Sequence, residues 1–236
     1  MIRQIFEFDE SAFTDSWYGK KIRAYLNAYG AGYDFCRLYE ADSGGYILVY
    51  NSTMTADGNF DKDELQGFIN MLAPVTIEVS KRTPLQLGGE YTAYNKTLFR
   101  GVHRENNIDS DHIVKNAMLD KVYAVLEEGF GITEFEAWYT DSSHRIRHGV
   151  SDIFLYGSTT VTKLFDVDDY VFLSHIATGA SDRGKGTARN LLYWLCGEYE
   201  KQGKEVYLYA KDERVSFYEG IGFEAVDSDI FYERLN

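Results

Sequence analysis

Residues 179–186 read Gly-Ala-Ser-Asp-Arg-Gly-Lys-Gly, and this stretch holds the residue types best suited to chemistry. Gly184 and Gly186 carry no side chains, so backbone N–H groups there can close on an anion. Arg183 and Lys185 add positive charge beside them. Helical periodicity begins at once: Ala188, Leu191, Leu192, Leu195, Cys196 and Tyr199 mark one face of a helix against a core. The loop therefore faces the unpaired N–H donors and positive dipole end of a new helix, which suits a pyrophosphate. It is neither a dinucleotide-binding G-x-G-x-x-G nor a G-K-[ST] loop, since Lys185 precedes Gly186 and Thr187 follows it.

A second cluster, Asp141, His144 and His148, could share a helix face. It lacks the H-E-x-x-H pattern and any cysteine partner, so it reads as a polar rim with Arg145 and Arg147, and no metal is expected.

The elements that must position the loop are readable around it. Ser110 or Asp111 can cap a helix carrying Ile113, Val114, Ala117, Met118, Val122, Val125 and Leu126, with Gly129 ending it. A shorter helix spans Phe135, Trp138, Tyr139 and Ile146. Strand-like runs follow at 153–156, 159–165 and 170–178, the last two parted by the turn Asp166-Val167-Asp168-Asp169. Along the third run Phe172, Ser174, Ile176 and Thr178 share one face, and Leu173, His175 and Ala177 the other. A bulge would reverse that parity. After the long helix come a strand at 206–210, a short helix at 213–219 and further strand from Phe223. The order indicates a mixed α/β or α+β domain around one sheet.

The first half is similar in outline. A helix covers 13–29, strands 35–40 and 46–50 form a hairpin about Ser43-Gly44-Gly45, a helix runs over 61–72, and strands follow at 75–79 and 91–99. Strand, strand, helix, strand thus occurs twice, without matching residue identities.

Composition bounds the function. Hydrophobic residues make up 44% of the 236, ample for a packed core. Pro74 and Pro84 are the only prolines, so no proline-rich linker marks a boundary. No run approaches the ~18 apolar residues of a membrane span. Acids early in the N-terminal stretch argue against a signal peptide, and Cys36 and Cys196 read as reduced thiols of a cytoplasmic protein. The net charge of −13 divides as −3 over residues 1–100 and −10 over 101–236. Such a field opposes nucleic-acid binding and is compatible with a cationic partner.

With the loop, the long helix, Phe217-Tyr218 and Gly222-Phe223 in their spacing, residues 96–236 resemble the GNAT superfamily of acyl-CoA-dependent N-acyltransferases. The family's [QR]-x-x-G-x-[GA] pattern is met by Arg183, Gly186 and Ala188, and its fourth strand ends at Thr178. The sequence departs from the family at Lys211 and Arg214, where asparagine and alanine are frequent. The resemblance implies a mixed central sheet flanked by helices, preceded over residues 1–95 by a smaller GNAT-like α/β domain. That domain's counterpart of the loop, Ala56-Asp57-Gly58-Asn59-Phe60, has no arginine and one glycine, so it should hold no cofactor.

The resemblance also assigns roles. Acetyl-CoA is the donor, contacted by Ile176, Ala177, Thr178, Arg183, Gly184, Lys185, Gly186, Thr187, Ala188, Lys211 and Phe217. A backbone N–H around 176–178 polarises the thioester carbonyl, and Tyr218 is the acid for the departing thiolate. An ammonium with a pKa of ~10.4 must lose its proton first. His175 and Ser174 are the candidate bases, with Glu136, Asp168 and Asp169 behind them. The expected reaction is acetyl transfer to a primary amine of a small molecule, with a peptide as the lesser alternative, and a homodimer is compatible with it. The rival is a non-catalytic acyl-CoA sensor.

Overall fold

The computed structural model describes residues 1–83, 85–131 and 134–235. The chain divides into two compact units, 1–97 with 227–236, and 98–226. Residues 227–235 thus fold with the first unit.

In the first unit, β1 (Ile2–Ile5) precedes α1 (Trp17–Tyr29), which Ser16 caps by accepting from the Gly19 N–H at 3.2 Å. A short β2 (Gly32–Tyr33) leads into β3 (Cys36–Ala41), β4 (Tyr46–Tyr50) and β5 (Thr53–Asp57), an antiparallel meander to whose β3 edge β1 adds. Helix α2 (Lys62–Leu72) then carries the chain to β6 (Thr76–Val79), which lies parallel to β5. β7 (Tyr91–Arg100) runs on toward the second unit. The core joins Ile47, Met54, Leu65, Ile69 and Ile77.

The second unit repeats that plan. After β8 (Val114–Lys115) come helices α3 (Leu119–Phe130) and α4 (Phe135–Arg147), then the antiparallel meander β9 (Asp152–Tyr156), β10 (Thr159–Val167) and β11 (Tyr170–Thr178). Helix α5 (Thr187–Glu200) crosses to β12 (Glu205–Lys211), parallel to β11, and α6 (Asp212–Gly220) precedes β13 (Glu224–Arg234). The far end of β13 returns to the first unit, where Phe231 pairs with Glu78. One apolar cluster, with Leu173, Leu191, Leu195, Leu208, Ala210 and Tyr218, fills the α5–α6 face. Another, with Val122, Leu126, Ile153 and Ala177, fills the α3–α4 face.

Two expectations are corrected. No helix starts at Ser110 or Asp111: residues 110–112 form a single 3-10 turn, Val114–Lys115 pairs with β9, and α3 begins at Leu119. The cause is Asn116, whose φ is +52°. Its side chain donates to Asp152 at 2.9 Å and accepts from the Ile153 N–H at 2.9 Å, so it holds the chain against β9 instead of in a helical turn. Gly129 does not end α3. It lies inside the helix, where an added Cβ would come within 2.9 Å of the Ala177 Cβ, and the left-handed Gly131 terminates it.

Beneath β10, the 7% exposed side chain of Lys163 pairs with Asp152 at 2.7 Å and Asp166 at 3.1 Å. Burial pushes the Asp152 carboxyl up, but Lys163 and Asn116 together hold it below the usual carboxylate range. A depressed folded pKa contributes stability above the unfolded value of ~3.9 and loses it as pH falls. Asp152→Asn should therefore destabilise the protein at pH 7 by about 3 kcal/mol, the low end for a broken buried pair because Asp166 remains. Urea unfolding at pH 7 and again near pH 3 measures this: the difference should shrink at the acid end.

Candidate functional site

Strands β11 and β12 are paired only from Tyr170↔Glu205 to Leu173↔Leu208, although both continue beyond. The paired end is fixed by stacked rings: Tyr170 lies on Tyr207 with centroids 4.3 Å apart, and Phe165 on Phe172 at 5.4 Å. Directly after it the ladder breaks. Thr162 faces Ser174 and Thr160 faces Ala177, so Val161 alone opposes His175 and Ile176. His175 has a φ of +48°, a conformation most side chains avoid. This bulge overturns the alternating faces read along residues 172–178. Ile176 packs in the same cluster as Leu173, whereas Ala177 joins the opposite one. The extra residue bends β11 away from β12 and leaves the edge of residues 174–178 without that strand.

Beyond β11, Gly184 and Gly186 take φ of +76° and +77° and bring the chain to the start of α5. Gly186 is the N-cap residue, no side chain caps the helix, and its first turn holds no acid. The first N–H groups of α5 therefore open outward with the positive end of the dipole. An added Cβ on Gly186 would meet the Arg189 guanidinium at 2.8 Å, which places that cation over the loop. Arg189 was missed in reading the sequence. A cation in a helix's first turn opposes the dipole, and that misfit was the available signal. Arg189 also lines a hollow of about 400 Å³ with Glu105, Asn106, Asn107, Asn190 and Tyr193.

The other loop residues divide between scaffold and surface. Arg183 donates to the Thr178 carbonyl at 2.9 Å and to the Glu128 carbonyl at 3.3 Å, tying the loop to β11 and α3. Lys185 pairs with Asp182 at 3.2 Å. Asp182 also accepts from the Ser158 N–H and hydroxyl, and these bonds, with Lys185, hold its carboxyl below the ordinary range. Thr187 accepts from Thr159 at 2.8 Å, and Thr159 sits 3.1 Å from the Thr178 hydroxyl, so these side chains brace β10, β11 and α5. Ala188, in the first turn of α5, is half-buried.

Tyr218 lies in α6, 7% exposed, with its ring 5.4 Å from Phe99 and 6.0 Å from Phe223. It shares a cluster with Leu173, Leu208 and Ala210, against which Ile176 packs, so it stands on the α6 side where β11 and β12 part. Burial pushes its hydroxyl up to about 12, with Arg214 pulling slightly the other way. Phe217, 40% exposed, and Lys211, the N-cap residue of α6, face solvent.

Of the candidate bases, Ser174 and His175 are half-buried at the bulge, and the His175 ring meets Phe130 edge-on at 6.4 Å. Asp168 and Asp169 lie at the opposite end of β11, some six residues or about 20 Å of strand away. Glu136 is exposed in the first turn of α4. Asp141 pairs with Arg145 at 2.7 Å, and the rings of His144 and His148 lie 4.5 Å apart. Among the described residues no group of three His, Cys, Asp or Glu side chains has the geometry to hold a metal ion, and no helix is long and apolar enough to cross a membrane.

The first unit lacks these openings. There β5 and β6 stay paired from Thr53↔Thr76 to Ala56↔Val79. The Thr55 hydroxyl donates to Glu78 at 2.6 Å, and buried Lys21 pairs with the same carboxylate, cross-tying the strands. Asp61 caps α2 by accepting from the Glu64 N–H at 2.9 Å, and Asp63 and Glu64 occupy its first turn. Three carboxylates thus hold the place an anion would need.

Comparison with known proteins bears on the fold and the family. Residues 143–234 match the family model described as an acetyltransferase (GNAT) domain. No curated protein matches the chain. Among solved structures, a GCN5-related N-acetyltransferase from Kribbella flavida superposes with a TM-score of 0.58 at 11% identity, over 94% of this chain and 97% of that one. A GNAT-family acetyltransferase from Colwellia psychrerythraea gives 0.55 at 13% identity over the whole of both chains. A tandem GNAT protein from the clavulanic acid biosynthesis pathway gives 0.51 at 12%, over 98% and 97%. At these identities the structures speak for the fold alone, and the family model makes residues 143–234 similar to an acetyltransferase domain of the GNAT family.

Proposed function

We propose that the second unit transfers an acetyl group from acetyl-CoA to a primary amine of a small molecule. The observation that carries this reading is the parting of β11 from β12 beside an uncapped, glycine-lined helix start. A pyrophosphate fits that start, with Arg189 over it, and the pantetheine arm can add along the free edge of residues 174–178 as an extra strand would. A backbone N–H of that edge polarises the thioester carbonyl. His175, held in the bulge, accepts a proton from the ammonium. The freed amine nitrogen attacks the acetyl carbon, the C–N bond forms and the C–S bond breaks. Tyr218 gives its proton to the departing thiolate, and the second proton, shed by the nitrogen as the amide forms, restores the Tyr218 hydroxyl. The first passes from His175 to solvent, leaving an amide and free CoA.

The test is thiol release from acetyl-CoA across a broad panel of primary amines. Release with some amines is expected. Binding of acetyl-CoA with no release for any amine would replace this reading with a non-catalytic sensor.

We further propose that the first unit is a GNAT-like fold closed to cofactor, a view supported by the continuous β5–β6 ladder and the acid-capped α2. Calorimetry of the full chain with CoA should give one site. A stoichiometry of two would overturn the proposal.

A further inference from the structure

The surface next to the bulge is unusually aromatic. Phe130, at the end of α3, is 51% exposed although its ring meets His175. Across the helix pair Tyr123 packs on Phe135 with centroids 4.7 Å apart and on Trp138 at 5.5 Å, while Phe135 meets Tyr139 at 5.5 Å. Phe135 and Tyr139 are 39% and 43% exposed, so these rings form a face in water instead of completing a core.

That face is also acidic. The Tyr123 hydroxyl is pushed up by burial and then by the carboxylates of Glu127 and Glu134, which places both acids close to the aromatic group. Glu136 lies in the first turn of α4, beside Phe135. Glu128, in contrast, is engaged by the Ala180 N–H at 2.7 Å and belongs to the scaffold. Aromatic faces attract cations through their quadrupoles, and flanking carboxylates add a steering field.

We infer that the amine acceptor is a primary arylalkylammonium ion, drawn to this surface by the exposed rings of Phe135 and Tyr139 and the carboxylates of Glu127, Glu134 and Glu136, and received beside the bulge by Phe130. This rests on the acetyl-transfer reading for what becomes of the amine, but the recognition can be measured without turnover. Phe130, whose ring meets His175 edge-on, would hold the aryl group within reach of the reacting edge.

The experiment is calorimetry on the full chain saturated with CoA, titrated with 2-phenylethylamine, ethylamine and 2-phenylethanol. The aryl amine should bind at least about tenfold more tightly than either the amine without the ring or the ring without the charge. Phe130→Ala, at a half-exposed position that the fold does not need, should weaken it by about tenfold, and Glu134→Gln by a smaller factor. Equal affinities for the three probes, no binding of the aryl amine, or an unchanged affinity in Phe130→Ala would overturn the inference. Thiol release with ethylamine as fast as with 2-phenylethylamine would overturn it while leaving acetyl transfer intact. Selective aryl-amine binding without any thiol release would do the reverse.

Discussion

Tyr218→Phe should lower kcat for acetyl transfer by about 10²–10⁴-fold, the usual cost of losing one positioned acid, and leave acetyl-CoA affinity unchanged. The argument rests on matching the donor to the group it serves. A tyrosine of pKa ~10 is a poor acid for a thiolate whose conjugate acid, in water, lies near ~8.5. Burial alters both partners. Burial pushes Tyr218 up to about 12, so it keeps its proton until a base forms beside it. Desolvation likewise disfavours a bare thiolate, so a leaving sulfur at this site needs a proton more than it does in water. Water cannot readily take over beside a side chain only 7% exposed. The variant removes one oxygen and no packing surface, so the melting temperature should barely change. Ionisation of Tyr218 also lies too far up to produce an alkaline limb in the kcat profile below pH 10. Should Phe support wild-type kcat with a good acceptor, the acid lies elsewhere; a loss confined to KM would make Tyr218 a binding residue.

Much of this site was legible because its signals are local. The α5 face of Leu191, Leu192, Leu195 and Cys196 is a long periodic run, and the structure buries all four. Gly184 and Gly186 stood out because they carry no side chains, and the structure adds that both take positive φ. What stayed hidden depends on pairing. The bulge at His175 inserts one residue into a strand without changing its composition, so alternation placed Ile176 on the wrong face. The false helix from Ser110 had a convincing period, which one asparagine anchored to Asp152 and Ile153 overrode. Strand β5 passed unread because Thr53–Asp57 is short and ends in the residues taken for a loop. The first unit's lack of a basic loop was visible, yet its closed β5–β6 ladder and the Lys21–Glu78 tie exist only in three dimensions. Phe135 was legible only as part of a short helix, and the exposure of Phe130 and Phe135 is a fact of three dimensions.

Gly186→Asp should abolish acetyl-CoA binding while leaving the protein folded, and the two halves of that expectation have separate causes. A positive φ of 77° costs an L-residue about 1–2 kcal/mol, with aspartate among the side chains that tolerate it best. Against this, the new Cβ meets the movable end of Arg189 and no backbone atom, so an aspartate there can pair with that guanidinium. It would also place a carboxylate at the start of a helix that now has no side-chain cap. The fold thus loses little. For the ligand both effects turn against binding: the carboxylate fills the space the pyrophosphate needs, repels it, and engages Arg189. In the wild type, acetyl-CoA at a hundred times its Kd should stabilise the chain by about 2.7 kcal/mol, a melting shift of roughly 5–10 °C for a chain of this length. That shift should vanish in Gly186→Asp. Gly186→Ala is the control, because it imposes the same backbone strain and the same contact with Arg189 without the charge. It should keep part of the shift. A folded Gly186→Asp protein that retained the full wild-type shift would place the cofactor away from the start of α5 and overturn the site.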